Sequence, residues 1–158
     1  GYVDRLIPAA PAVAMQPAGA VTLVHFPTLF QAGQPSEAGN QPAGKVFFAH
    51  AGAPIAIDVR VQPQQWVWSF DAGAGTLTQS FCCRRYDPAH DPKVEPGYYA
   101  AHSFDTLGAH TATVTVTWTA TMTIRGLGTM PVQGTFTRSS SPYTFQVKEA
   151  RARLESNS

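Results

Sequence analysis

The stretch TATVTVTWTATMTI, Thr111 to Ile124, carries threonine at every odd position and Ala112, Val114, Val116, Trp118, Ala120, Met122 and Ile124 at the even ones. Side chains on a β-strand point alternately to opposite faces. An unbroken two-residue period therefore specifies one strand with an apolar face and a hydroxyl face. At ~3.3 Å per residue, the strand would run roughly 46 Å if straight. That is long for a sandwich strand, so the spacing predicts a bend, or a hairpin arm projecting past the sandwich.

Working outward, the same signal recurs. In IAIDVRV, Ile55, Ile57, Val59 and Val61 face one way, with Asp58 and Arg60 opposite. Pro63 is expected to end that strand. QWVWSF then places Trp66, Trp68 and Phe70 on one face. KVFFAH (45–50), GTLTQSF (75–81) and YTFQVK (143–148) are further strand candidates, and RGLGTMPVQG (125–134) supplies a turn and a returning strand. YVDRLI (2–7) could close a short helix, and no long helical pattern is present. Seven or eight strands separated by turns read as an all-β protein, an antiparallel β-sandwich. Trp66, Trp68, Phe70 and Trp118 are the expected structural core. The competing reading makes Trp66, Trp68 and Phe70 an exposed stacking platform for a ligand.

At 158 residues the chain is expected to form one domain. A chain beginning at Gly1 is expected to be a processed protein or a piece of a longer one. Residues 1–45 read as an extended, Pro-rich N-terminal arm, 46–150 as the sandwich, and 151–158 as a polar C-terminal tail. Formal net charge is +1, and charged residues make up only 13%, against roughly 25% in average domains. That balance argues against nucleic acid or an anionic membrane as partner. The stretch 6–36 has no charged side chain but holds five prolines, so no transmembrane helix is expected there. Within the arm, AVTLVHFPTLF (20–30) is strongly apolar and hard to leave in water. It either packs on its own sandwich or adds a strand to a neighbour's sheet edge. Val21, Leu23, Val24, Phe26, Leu29 and Phe30 are the candidate assembly residues.

Chemical motifs are sparse. There is no His-Glu-x-x-His, no Cys-x-x-Cys and no Gly-x-Ser-x-Gly. His90, Asp91, His102, Asp105 and His110 lack metal-ligand spacing. Asp87 and Asp91 in DPAHDP read as turn formers, and Arg84 and Arg85 as a solvated pair. No catalytic, metal-binding or cofactor-binding residue is assigned, and no cofactor is expected. The threonine row reads as a solvent face, or as a face for glycosylation or for contact with a flat surface or sugar. Cys82 and Cys83 are adjacent. On a strand they would face opposite ways, and a bond between neighbours would be strained. Free thiols, a bond to each other and an interchain disulfide all remain open.

The order of features from Gln65 to Val147 resembles a PKD (polycystic-kidney-disease) domain, an Ig-like fold. Trp68, Ser69, Phe70, Asp71, Ala72 and Gly73 stand where that family carries Trp-Asp-Phe-Gly-Asp-Gly. His102, Phe104, Gly108 and the alternating strand stand where its second signature lies. The turn departs from the pattern in lacking the second acidic residue, and His110 replaces an aromatic. The wider chain is similar to secreted PKD-domain proteins of high-GC Gram-positive bacteria, through Pro17, Leu23, Val24, Phe26, Pro27, Thr28 and Phe30, through Val116 to Thr119, and through Val147, Glu149 and Ala150. Such relatives often pair a cysteine after the turn with one before the His/Ser-aromatic strand. Here the latter region holds Ala100 and Ala101.

The resemblance implies a non-enzymatic scaffold that is secreted or displayed at the cell surface. The expected role is protein–protein assembly with itself or another surface protein, as in a subunit of a pilus-like filament, with the arm pairing to a neighbour. A glycan or cell-wall binding module and an accessory domain of an extracellular enzyme are the alternatives.

Overall fold

The computed structural model describes residues 7, 9–33, 44–49, 56–124 and 126–149. The helix read at 2–7, apart from residue 7, and the tail at 151–158 lie outside them. The described residues form ten strands, in order β1 Ala12–Gln16, β2 Val21–Leu23, β3 Thr28–Gly33, β4 Gly44–Ala49, β5 Ala56–Phe70, β6 Gly75–Gln79, β7 Ala100–His102, β8 Gly108–Ile124, β9 Gly128–Ser139 and β10 Tyr143–Lys148. They form two sheets. One is three-stranded, in the order β1-β3-β7; the other runs β2-β10-β8-β5-β4, with β6 also paired to β5 and β9 to β8. The architecture is all-β, with two sheets in a sandwich-like arrangement.

The threonine-studded strand is the spine. β8 pairs with β5 along nearly its whole length. On its other side it pairs with β10 at one end and β9 at the other. β8 and β9 form a hairpin, and the ladder on both sides of β8 is interrupted midway. In β5, Gln64 is an extra residue between Pro63, opposite Trp118, and Gln65, opposite Thr117. In β9, Gln133, Gly134 and Thr135 together oppose Thr119 alone. Two bulges thus flank β8 at the level of Trp118, where added residues bend the sheet and increase its twist.

The bulge at Gln64 corrects the reading of Pro63 as a strand end. AIDVRV (56–61) and QWVWSF are one strand, and Ile55 lies outside the described residues. Their inward sets fall on odd positions before the bulge and even positions after it, and one inserted residue brings both to the same face. Pro63 is tolerated because it sits at the bulge and because neither β4 nor β6 pairs with residues 62–65. The sheet is not purely antiparallel either: β2 runs parallel to β10, with Val21, Thr22 and Leu23 beside Gln146, Val147 and Lys148. Parallel neighbours need a long crossover, and here residues 24–142 intervene.

The core lies between the sheets. Phe30 of β3 is fully buried, and its ring centroid stands 5.1 Å from Phe70, 5.8 Å from Trp68 and 5.8 Å from Phe145. Phe104 closes the cluster, 5.1 Å from Phe145. Val59, Val61, Val114, Val116, Trp118 and Ala120 continue the buried face along β5 and β8.

Candidate functional site

Trp66, Trp68, Phe70 and Trp118 all point inward and are buried. An aromatic platform for a ligand needs exposed rings, and these rings have none to offer. Filling the space between sheets is their structural task.

The apolar N-terminal segment is built into the same core. Leu29 and Phe30 lie in β3, hydrogen-bonded between β1 and β7. Val21 and Leu23 lie in β2 beside β10. Val24 donates its N–H to the Lys148 carbonyl at 2.8 Å, and His25 donates to the Phe104 carbonyl at 2.9 Å. Thr22 and Thr28, both buried, join hydroxyls at 2.6 Å. Within this chain the segment therefore takes the first of its two expected placements, packing on its own sandwich. Of the six candidate residues only Phe26 is exposed, at 36%; the strand it was to lend a neighbour is used at home. The reason is packing, because Phe30 fills the centre of the ring cluster and no other described side chain takes that place.

Cys82 and Cys83 are joined to each other, leaving neither free for another chain. On a strand the two would face opposite ways. Residues 82–87 are instead irregular, and both sulfurs turn toward Ala32. The Ala32 N–H donates to Cys83 Sγ at 3.2 Å, and Cys82 Sγ sits 3.7 Å from the Ala32 carbonyl oxygen.

The polar residues that could suggest chemistry are held in structural contacts. Asp71 follows β5, opening a short 3-10 turn (Asp71–Gly73) with φ +50°. Its Oδ1 accepts the Thr111 N–H at 3.0 Å, and its Oδ2 lies 2.7 Å from His110 Nδ1. His110 Nε2 lies 2.8 Å from the Thr106 carbonyl oxygen and 3.2 Å from its hydroxyl. This clasp ties the β5–β6 turn to the start of β8. Reading the sequence missed it, although one signal was available: His110 occupies an inward-facing position of β8, where a polar residue needs a buried partner. His102 stacks on Phe70 with centroids 4.2 Å apart. Burial holds its pKa below the ordinary 6.5, against the opposing pull of Asp71 and Asp105 and with a further push from His110. Among the described residues, Thr106 is the hydroxyl hydrogen-bonded to the His110 ring.

The stretch 81–99 is stapled internally. Arg84 is exposed, as expected of a solvated charge, and also lies over the rings of Tyr98 (4.1 Å) and Phe81 (4.6 Å) and donates to the Tyr98 carbonyl, a cation–π staple at the surface. Asp87 and Asp91 cap turns, accepting from Ala89 and Lys93 N–H groups at 2.9 Å. His90 stacks on Tyr98 and bonds Glu95. Tyr99 Oη lies 2.7 Å from the His90 carbonyl oxygen. Among the described residues no group of three His, Cys, Asp or Glu side chains could hold a metal ion, and no helix is long and apolar enough to cross a membrane.

Two surfaces remain open. Where the end of β1 and the β2–β3 turn meet the 86–93 loop, Gln16, Pro17, Phe26, Pro27, Leu29, Tyr86, Asp91, Pro92 and Lys93 line a mainly apolar groove of about 410 Å³. Tyr86 stands 53% exposed on its wall. The other surface is the outer face of the large sheet. Its register sets Thr76, Ser69 and Thr113 in one cross-strand row, Thr78, Val67, Thr115 and Ser139 in the next, and Gln65, Thr117 and Thr137 in a third. None of these residues is buried and none is charged.

Comparisons with protein-family models, with curated proteins and with solved structures find no match for this chain.

Proposed function

We propose that this chain is a non-enzymatic, extracellular β-sandwich of PKD type that works by contact with another surface protein, as a subunit or decorating part of an assembled surface structure. The observation that carries this reading is the contrast between its polar and apolar groups. Asp71, His110, Asp87, Asp91, His90 and Arg84 are engaged in holding turns and strands. The groove beside Tyr86 and Phe26 meanwhile leaves apolar surface in water, and such surface marks contact sites. The contact surface is the groove, to which the N-terminal segment contributes Gln16, Pro17, Phe26, Pro27 and Leu29. The joined cysteines support an oxidising compartment.

The test is photo-crosslinking from positions 86 and 26 in cells that export the chain, with mass spectrometry of the products. One defined crosslinked surface protein, lost in a Tyr86→Asp variant that still folds, supports the reading. Folded chain at the surface with no crosslinked product at either position sinks it.

A second reading, a neutral-glycan module, draws on the uncharged rows of Thr76, Thr113, Thr78, Thr115, Thr117 and Thr137. Retention on insoluble cell-wall glycan, lost when Thr115 and Thr117 are replaced by lysine, would favour it; flow-through of the wild type would remove it.

A further inference from the structure

We propose that the groove between the β2–β3 turn and the 86–93 loop receives an extended, proline-containing segment of the partner in the polyproline II conformation; the proposal rests on the contact-domain reading and names the chemistry of its partner.

The walls argue for this occupant by what they offer and what they lack. They present three pyrrolidine rings, Pro17, Pro27 and Pro92, and two exposed aromatic rings, Phe26 and Tyr86, over the buried Leu29. Flat apolar faces of this kind suit pyrrolidine rings, and aromatic-lined grooves are the common docking sites of proline-rich segments.

Strand addition finds few backbone partners along these walls. The three prolines have no N–H to donate. Gln16 Oε1 already accepts the Tyr86 N–H at 2.9 Å and Gln31 Nε2 at 3.2 Å. The Asp91 carbonyl already accepts from Val94 and Glu95, and its Oδ1 from Lys93. An occupant that needs a backbone ladder would find few partners. A polyproline II segment needs none, because its backbone stays solvated. Its outward carbonyls can accept from the Tyr86 hydroxyl, which makes no hydrogen bond among the described residues.

Two other occupants suit the groove less well. At about 410 Å³ the groove holds a few residues of extended chain, not a helix some ~10 Å wide. A stable contact between two copies would bury roughly 800 Å² on each side, more than a groove of this volume supplies alone.

The experiment is an NMR titration of the full chain with a ten-residue polyproline peptide and, separately, a Gly/Ser peptide of equal length. The expected result is saturable shifts at Phe26, Leu29, Tyr86 and Lys93 with polyproline only. Tyr86→Ala should weaken binding about tenfold with the melting temperature unchanged, and Tyr86→Phe should weaken it less. Either variant leaves the Tyr86 backbone N–H to Gln16 in place. The absence of localised shifts at millimolar polyproline overturns the proposal, as does an equal response to the Gly/Ser peptide. Shifts at the same residues that grow with protein concentration and no peptide overturn it in favour of a second copy. If polyproline fails while crosslinking from position 86 still captures a surface protein, this inference falls and the contact-domain reading stands.

Discussion

Asp71 and His110, thirty-nine positions apart, meet at 2.7 Å through Oδ2 and Nδ1, and the other carboxylate oxygen takes the N–H of Thr111. A single side chain thus closes the β5–β6 turn onto the first residues of β8. Replacing Asp71 by alanine leaves a backbone donor and an imidazole without their acceptor. It also puts alanine at φ +50°, where asparagine and aspartate are better tolerated. Asp71→Ala should cost about 2 kcal/mol in urea unfolding. Asp71→Asn should cost clearly less, because it keeps the Thr111 bond and the conformational tolerance.

His102 gives the fold a pH dependence of known sign. Burial lowers its pKa in the folded state, so the unfolded chain binds more protons below pH 6.5 than the folded one does. The stability its neutral form contributes is complete above 6.5 and is lost as pH falls from there toward the folded value. Denaturation midpoints measured between pH 7.5 and 5 should decline. His102→Phe, which keeps a ring against Phe70, should make that decline shallower.

Phe30 and Phe26 belong to the same apolar segment but differ in burial. Phe30→Ala should cost about 3–5 kcal/mol, enough to threaten folding of a marginally stable domain. Phe26→Ala should change stability by less than about 1 kcal/mol. Equal effects in chemical unfolding would contradict the placement of β3 inside the core.

The three tryptophans should report burial directly. Emission is expected at short wavelength, with little quenching by iodide until the chain unfolds, because Trp66, Trp68 and Trp118 all lie within the core. Ready quenching in the native state would reopen the platform reading.

Cys82 and Cys83 should resist alkylation until a thiol reductant is added and then accept two labels. Under non-reducing conditions the chain should migrate as a monomer. A disulfide-linked dimer would restore the interchain bond.

Legibility varied with the range of the contact. The alternation in β8 named that strand, its inward set and its excess length, because a two-residue period is local. The same logic placed Val59 and Trp68 on inward faces but broke at Pro63, where one bulged residue changes the parity and looks in sequence like an end. Asp71 was readable as a turn residue, whereas its bond to His110 was not, since nothing local links two side chains so far apart. The groove was invisible for the same reason: Pro17, Pro27, Tyr86 and Pro92 become neighbours only once β1–β3 lies against the 81–99 stretch.

What the sequence determined by itself was the class of fold and the residues that must leave water: a period of two leaves an apolar face that only a second layer can cover. What the tertiary structure decided was the source of that second layer. Two answers were compatible with residues 20–30, a neighbour's sheet or their own, and hydropathy is identical in both. Phe30 settles it by filling the space between Trp68, Phe70 and Phe145, because burial is non-directional in sequence but close-packed in space.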